Sequence, residues 1–170
     1  MIKNCLIINL IIFILFILYL RTQPISLIVD FNKPSQENRF YIKCHNITIY
    51  KGLVQHGFGG TEKDPKCSNE INSNKSCYGT FKILELSKTK NYNLECFRLQ
   101  GLDSTNNNAY IRGIVIHYGN LPTRRFAKNS SYLPLSIDCA GCFSISWFAM
   151  QFLKLIYNNN FTLNAYYDTK

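Results

Sequence analysis

The sequence predicts a mainly-β domain with one helix packed on its sheets near the C-terminal end, carried behind an apolar N-terminal segment. Three observations predict it. Runs of β-branched and aromatic residues recur between stretches rich in Gly, Asn and Ser, the alternation expected of strands and turns. Only Ser146–Tyr157 sets its large apolar residues (Trp147, Phe148, Met150, Phe152, Leu153 and Ile156) largely at helical spacing. At 170 residues the chain has the length of one domain with a single well-buried core, and it shows no internal repeat.

The elements follow in order. Met1-Ile2-Lys3-Asn4 leads into a run from Cys5 to Leu20 that is apolar except for Asn9. One cation followed by such a run has the shape of a secretory signal, and the run falls short of the roughly 20 apolar residues of a membrane span. No small-x-small cleavage site stands around Arg21-Thr22-Gln23-Pro24. Residues 1–24 therefore read as a signal peptide or an uncleaved signal-anchor, and residues 25–170 as an exported domain. After a polar stretch at 32–38, Arg39–Lys43 reads as a strand, His45-Asn46 as a turn and Ile47–Tyr50 as its return. That return is expected to continue through Gly52-Leu53-Val54 to Gln55-His56-Gly57, where Gly57, Gly59 and Gly60 break it. Residues 58–76 read as a loop. Strands are expected at Gly79–Leu86 and Asn93–Gln100, then a loop from Gly101 to Ala109. The most β-like segment is Ile111–His117, apolar enough for a central strand. A loop from Gly119 to about Ser131 precedes a cysteine stretch. Beyond the helix, Asn158–Asn160 turns the chain into a last strand, Phe161–Tyr167.

The formal charge is +9; removing two cations with the N-terminal segment, Lys3 and Arg21, leaves +7. Such a balance favours anionic partners such as a wall polymer or a membrane surface. Apart from Arg124-Arg125 the basic residues are scattered, with no cationic stripe interleaved by aromatics, so a nucleic-acid surface is not expected.

Seven cysteines in an exported chain raise the question of disulfides. Six of them, Cys44, Cys67, Cys77, Cys96, Cys139 and Cys142, lie beyond the N-terminal segment and would allow three bridges, with nothing in the spacing to select a connectivity. A zinc site is not expected, because no second C-x-x-C is present and the three histidines are dispersed. Cys139-Ala140-Gly141-Cys142 is compatible with a redox pair or a nucleophilic thiolate. No βαβ pattern precedes it, which disfavours thioredoxin-like chemistry. A nucleophilic Cys142 needs an imidazole close in space, and His117, at the end of an apolar strand, is the candidate.

These residues carry a resemblance. Arg39-Phe40-Tyr41-Ile42, Leu53-Val54-Gln55-His56-Gly57, Ser68-Asn69, Leu99-Gln100-Gly101-Leu102-Asp103, Asn108-Ala109, Arg112–His117 and Gly141-Cys142 occur in the order of the motifs of the murein L,D-transpeptidase catalytic domain family, the YkuD-like cysteine transpeptidases. Those motifs are R-x-x-V, V-x-H-G, F-S-N, L-x-G-L-E, N-x-x-A-x-x-R-x-I-V-x-H and S-W-G-C-P-A. The similarity spans about residues 30–167. It implies a mainly-β fold with Cys142 as nucleophile and His117 as its base. Gly141 would stand beside the nucleophile, and Cys139 in the place of the family's serine. His56, Gly57, Ser68 and Asn69 would bind substrate or support the site. The implied chemistry is acyl transfer at the bond between a diamino acid and D-Ala in peptidoglycan stem peptides, through a thioester, with backbone N–H groups near Gly141 and Cys142 as oxyanion donors. Water as acceptor would make the protein an L,D-carboxypeptidase. No metal or cofactor is required.

The resemblance also implies a monomer acting in the periplasm or cell envelope on stem peptides, with inner-membrane association through residues 5–20 left open. Departures are concentrated at Asp138-Cys139-Ala140-Gly141-Cys142-Phe143-Ser144, where the family has Arg, Ser and Trp before Gly-Cys-Pro-Ala. A carboxylate at Asp138 would oppose thiolate formation if close, and a Cys139–Cys142 bridge would block the nucleophile. An inactive or redox-gated wall-binding relative and a periplasmic thiol–disulfide protein are thus the alternatives. Arg112 is expected to pair with a carboxylate such as Asp103.

Overall fold

A computed structural model describes residues 2–61, 64–89, 93–119 and 140–168. The loop expected from Gly119 to Ser131, and with it Asp138 and Cys139, lies outside the described residues except for Gly119 itself. The chain opens with helix α1 (Ile2–Thr22). Strands β1 (Ile25–Asp30), β2 (Phe40–Cys44), β3 (Ile47–Gly52), β4 (Val54–Gln55), β5 (Gly79–Lys88), β6 (Glu95–Gly101), β7 (Val115–Tyr118) and β8 (Phe143–Ile145) follow, then helix α2 (Trp147–Ile156) and strand β9 (Thr162–Tyr166). The strands form one sheet in the order β3-β2-β1-β9-β5-β6-β7-β8-β4.

The two ends of that order, β3 and β4, are separated in the chain by Leu53 alone. Consecutive Cα atoms lie about 3.8 Å apart, so the sheet's edges must meet and the sheet curls into a barrel-like body. Here the structure corrects the sequence reading: β3 does not run on to Gly57. It stops at Gly52, and the chain crosses to the opposite edge of the sheet, where Val54 and Gln55 pair with Ile145 and Ser144. The buried Arg39 side chain fastens this crossing. Its backbone N–H donates to the Gly52 carbonyl at 3.1 Å and its Nε to the Val54 carbonyl at 3.0 Å, so one residue of the β2 entry grips both sides of the break.

Period-2 burial builds the core. Ile25, Leu27 and Val29 of β1, Phe40, Ile42 and Cys44 of β2, and Leu163 and Ala165 of β9 all point inward, with half-exposed residues mostly between them. β1 pairs antiparallel with β2 and parallel with β9, the latter joining Ser26 to Thr162 and Asp30 to Tyr166. The hairpin turn falls at His45-Asn46 as expected, with His45 at φ 51°. β5, β6, α2 and β9 lie where the sequence places them within a few residues. β1 and β8 are strands that the reading did not separate out. The expected central strand at 111–117 begins only at Val115, because Arg112 and Gly113 close a turn through bonds to Asn108 and Tyr110. Serine at the helix entry explains where α2 starts: Ser146 Oγ accepts from the Ala149 N–H at 3.1 Å, capping an otherwise open turn. Ala149, Met150, Leu153 and Ile156 form its buried face.

Among the described cysteines, Cys44, Cys67, Cys77 and Cys96 are thiols. The three-bridge framework that six cysteines beyond the N-terminal segment would allow is therefore not what holds this fold. A continuous apolar core does so instead.

Candidate active site

His117 sits on β7 between two partners. In register it faces Cys96 of β6 on one side and Ser144 of β8 on the other, so the three side chains share one face of the sheet. Its ring is 8 % exposed, and Nδ1 lies 2.8 Å from the Tyr118 carbonyl oxygen. A carbonyl only accepts, so the ring proton belongs on Nδ1 and the basic lone pair on Nε2. The buried Oγ of Ser144, on the same rung, has no hydrogen-bond partner among the described residues.

Cys142 immediately precedes β8. The β7–β8 pair is parallel with Ile116 beside Phe143, which puts Cys142 level with Val115, two residues before His117. Cys142 is half-buried, and its Sγ makes a long contact of 3.8 Å to the Gly113 carbonyl. Phe143, which stands where a proline would be expected, is fully buried: it stacks on Phe31 at 5.7 Å between ring centroids and meets Phe81 edge-on at 5.6 Å. The departure from proline thus gives the cysteine an aromatic anchor in the core.

What holds the Cys142 backbone comes from three distant stretches. Gly141 adopts φ +111°, a region that side chains rarely enter, and a Cβ there would meet the Lys75 carbonyl oxygen at 2.5 Å and Ile114 Cδ1 at 2.9 Å. Gly57 packs directly on it: a Cβ at Gly57 would come within 2.7 Å of both Gly141 N and Cα. Ser76 ties the two together, accepting from the Gly57 N–H at 3.0 Å and donating to the Gly141 carbonyl at 2.9 Å. Arg112 secures the same loop. It donates to the Ser68 carbonyl at 2.7 Å, to Ser73 Oγ at 3.2 Å and to the Lys75 carbonyl. This corrects the expected Arg112–Asp103 pair: the Asp103 carboxylate instead accepts from the Thr80 N–H at 2.6 Å.

Each further sequence candidate has a definite place. Asn69 clamps the loop to the 104–108 turn, donating to the Ser104 carbonyl and Asn107 Oδ1 and accepting from the Asn108 N–H. Ser68 pairs through its backbone with Ser76 and Arg112. His56 is fully buried, its Nδ1 accepting from Arg39 Nη2 at 2.6 Å and its Nε2–H donating to the Thr61 carbonyl at 2.8 Å. Both ring nitrogens are thereby used inside the protein, directly behind Gly57. Cys139 lies outside the described residues. Sequence reasoning missed Ser76, since a single serine in a polar loop carries no periodic or motif signal. It also missed Arg39 as the residue that orders His56.

The electrostatics separate the groups. Burial, then the Arg39 cation, holds His56 down to about 3, so it stays neutral. Burial pushes the Cys77 thiol up to about 11 and raises Cys96 as well; a charge on Cys142 would raise both further. Cys67 is also raised by burial. These thiols stay protonated at neutral pH and are poor nucleophiles. Among the described residues no group of three or more His, Cys, Asp or Glu could hold a metal ion.

The His56 shift has a consequence for stability. Its folded value lies below the unfolded value of about 6.5, so the unfolded chain binds the extra proton and stability falls as pH drops from about 6.5 toward 3. Denaturant midpoints at pH 7 and 5 should show a loss in the parent that exceeds that of His56→Gln by roughly 1–2 kcal/mol. Parallel pH profiles for the two proteins would contradict this.

Comparison with known proteins bears on the family and the fold. The L,D-transpeptidase catalytic domain family (YkuD_2) matches residues 19–166. Among solved structures, an L,D-transpeptidase from Mycobacterium smegmatis aligns with TM-score 0.52 at 12 % identity, covering 85 % of this chain and 59 % of that one. An L,D-transpeptidase from Stackebrandtia nassauensis aligns with TM-score 0.51 at 12 % identity, covering 86 % and 57 %. Bd1075 from Bdellovibrio bacteriovorus aligns with TM-score 0.52 at 14 % identity, covering 85 % and 48 %. This chain thus spans about half to three-fifths of the length of those structures, and the likeness to them is one of fold. No curated protein matches. The family match covers most of the chain, and with the mainly-β fold it shows that the chain belongs to the L,D-transpeptidase catalytic domain family.

Proposed function

We propose that this protein is an exported L,D-transpeptidase or L,D-carboxypeptidase acting on peptidoglycan stem peptides, with Cys142 as nucleophile and His117 as its base. The observation that carries the reading is the tautomer of His117: the Tyr118 carbonyl takes the Nδ1 proton, so the lone pair needed to accept a thiol proton is on Nε2. The glycine–serine–glycine tie of Gly57, Ser76 and Gly141 supports it by fixing the backbone that leads into Cys142.

In this mechanism Nε2 takes the Cys142 proton and the sulfur attacks the carbonyl carbon of the diamino acid–D-Ala amide. The Cys142 N–H, with that of Gly141, stabilises the oxyanion; one such donor is worth roughly 3–4 kcal/mol. The carbon–nitrogen bond breaks, the imidazolium returns its proton to the departing D-Ala amine, and a thioester remains. An amine of a second stem then attacks the thioester and forms a cross-link, or water attacks and releases the shortened stem. His117 accepts a proton from either nucleophile and the thiol is regenerated. The envelope is the expected site of action, given the apolar N-terminal helix and the family.

The test is direct: fully reduced protein is incubated with tetrapeptide stems, and mass spectrometry follows D-Ala release and a thioester on Cys142. Neither release nor adduct under reduction would sink the reading. A subtler prediction concerns Ser76. Ser76→Ala removes the tie between Gly57 and Gly141 without touching the reacting atoms, so kcat is expected to fall about 10-fold with KM little changed. A change in KM alone would argue instead for a substrate contact.

A further inference from the structure

The end of α1 is built into the domain. Leu20 is 1 % exposed and belongs to the hydrophobic core, and Ile17 packs against that core. The side-chain amide of Asn158, just past α2, donates to the carbonyls of Arg21 at 2.7 Å and Gln23 at 3.1 Å. Gln23 also bonds His45 through its side chain at 2.9 Å. Only Gln23 and Pro24 separate α1 from β1, so no slack segment joins helix to sheet. Cleavage anywhere near Arg21–Pro24 would take Leu20 and Ile17 out of the core.

The remainder of α1 has the opposite character. Residues 5–16 are exposed on every side of the helix. The apolar span Cys5–Thr22 has 18 residues, but only residues 5–16 stand clear of the domain, about 18 Å of helix at about 1.5 Å per residue against a hydrocarbon core of about 30 Å. Its one interior polar side chain, Asn9, donates to Cys5 Sγ at 3.7 Å on the same helix. A span this short, with its last turns fixed in the domain, can be immersed only if the domain is drawn up to the headgroups. α2 touches α1, and because residues 5–16 are uncovered the contact falls on the last turns of α1. On its outward side α2 presents Trp147, Phe148 and Leu155, 61 %, 65 % and 50 % exposed. Aromatic side chains of this kind favour the headgroup level of a bilayer.

We propose that α1 is a retained bilayer anchor whose last turns are a structural part of the domain, and that the outward face of α2 rests on lipid beside it. The proposal does not depend on the chemistry assigned to Cys142.

The full chain is expressed in a bacterium with active signal peptidase, extracted from membranes and placed in lipid nanodiscs. Intact mass spectrometry should find α1 present; a mature chain that starts after Ile17 overturns the anchor. Leu20→Ala should lower the unfolding temperature by about 5–15 °C, whereas an unchanged temperature would show that α1 is not part of the core. Trp147 is the only tryptophan in the chain, so its fluorescence reports on the α2 face alone. In discs made with brominated lipid its emission should fall by about half or more. No quenching overturns the lipid assignment, and no quenching together with two chains per disc would give the α2 face to a second copy instead.

Discussion

Cys142→Ala is expected to abolish both D-Ala release and the thioester adduct, a loss of about 10³-fold or more, while leaving the fold intact. The fold should survive because Phe143, buried between Phe31 and Phe81, and the Ser76 tie to the Gly141 carbonyl hold the backbone on either side of Cys142. His117→Gln should cost about 10²–10⁴-fold in kcat, since a glutamine can fill the space but cannot cycle a proton. Cys139→Ser is the discriminating companion. If Cys142 is the nucleophile, this variant keeps its activity under reduction, and any sensitivity to oxidant that depends on a Cys139–Cys142 bridge disappears. Full activity in Cys142→Ala, or loss of activity in Cys139→Ser alone, would exchange the roles of the two cysteines or remove them both. Burial raises the Cys77 and Cys96 thiols and keeps them protonated, so neither can take over as nucleophile from Cys142.

Arg39→Met is expected to be the most destabilising single change, costing roughly 3–5 kcal/mol in urea unfolding. Methionine can occupy much of the volume, but it donates nothing. The Val54 carbonyl and His56 Nδ1, now bonded at 3.0 and 2.6 Å, would be left as buried acceptors, and the half-buried Lys33 carbonyl would lose its partner at 3.1 Å. The cation's seat over the Phe31 ring, at 5.2 Å, would be lost as well. Burial pulls the guanidinium down to about 10, which still leaves it charged at neutral pH, so every one of these bonds is charge-assisted in the native protein. Activity should fall too, because His56 and Gly57 lean on Arg39, and Gly57 leans on Gly141. A loss below 1 kcal/mol would show that Arg39 is not what secures the closing of the sheet.

The sequence made some parts of this molecule plain and hid others, and the reason differs by part. The hairpin at His45 and the helix at Trp147–Ile156 were legible because their signals are local: a turn between alternating runs and an apolar stripe. Pairing His117 with Cys142 rested on residue type and on the order of motifs, since nothing local says that β7 and β8 pair in parallel. The break at Leu53 was not legible, because Gly52-Leu53-Val54 has the composition of an unbroken strand and only closure of the sheet divides it. Ile111 and Arg112 looked like strand for the same reason. Tertiary bonds from Arg112 to the 68–75 loop, and Gly113 at φ +70°, fold that stretch into a turn. Ser76 and the burial of Leu20 belong to the same class: each matters through a contact far away in the chain.

The position of β9 has a consequence for how the protein comes into being. The last strand lies between β1 and β5, so strands β1–β3 on one side of the sheet and strands β4–β8 on the other are joined through residues 162–166. A chain emerging from its N-terminus cannot complete the sheet until almost its whole length is available, and the pairing of Ser26 with Thr162 closes a very long loop. Folding of this topology is therefore slow and late. If the chain is exported as proposed, that delay is useful: the strand that locks the barrel arrives last, on the far side of the membrane.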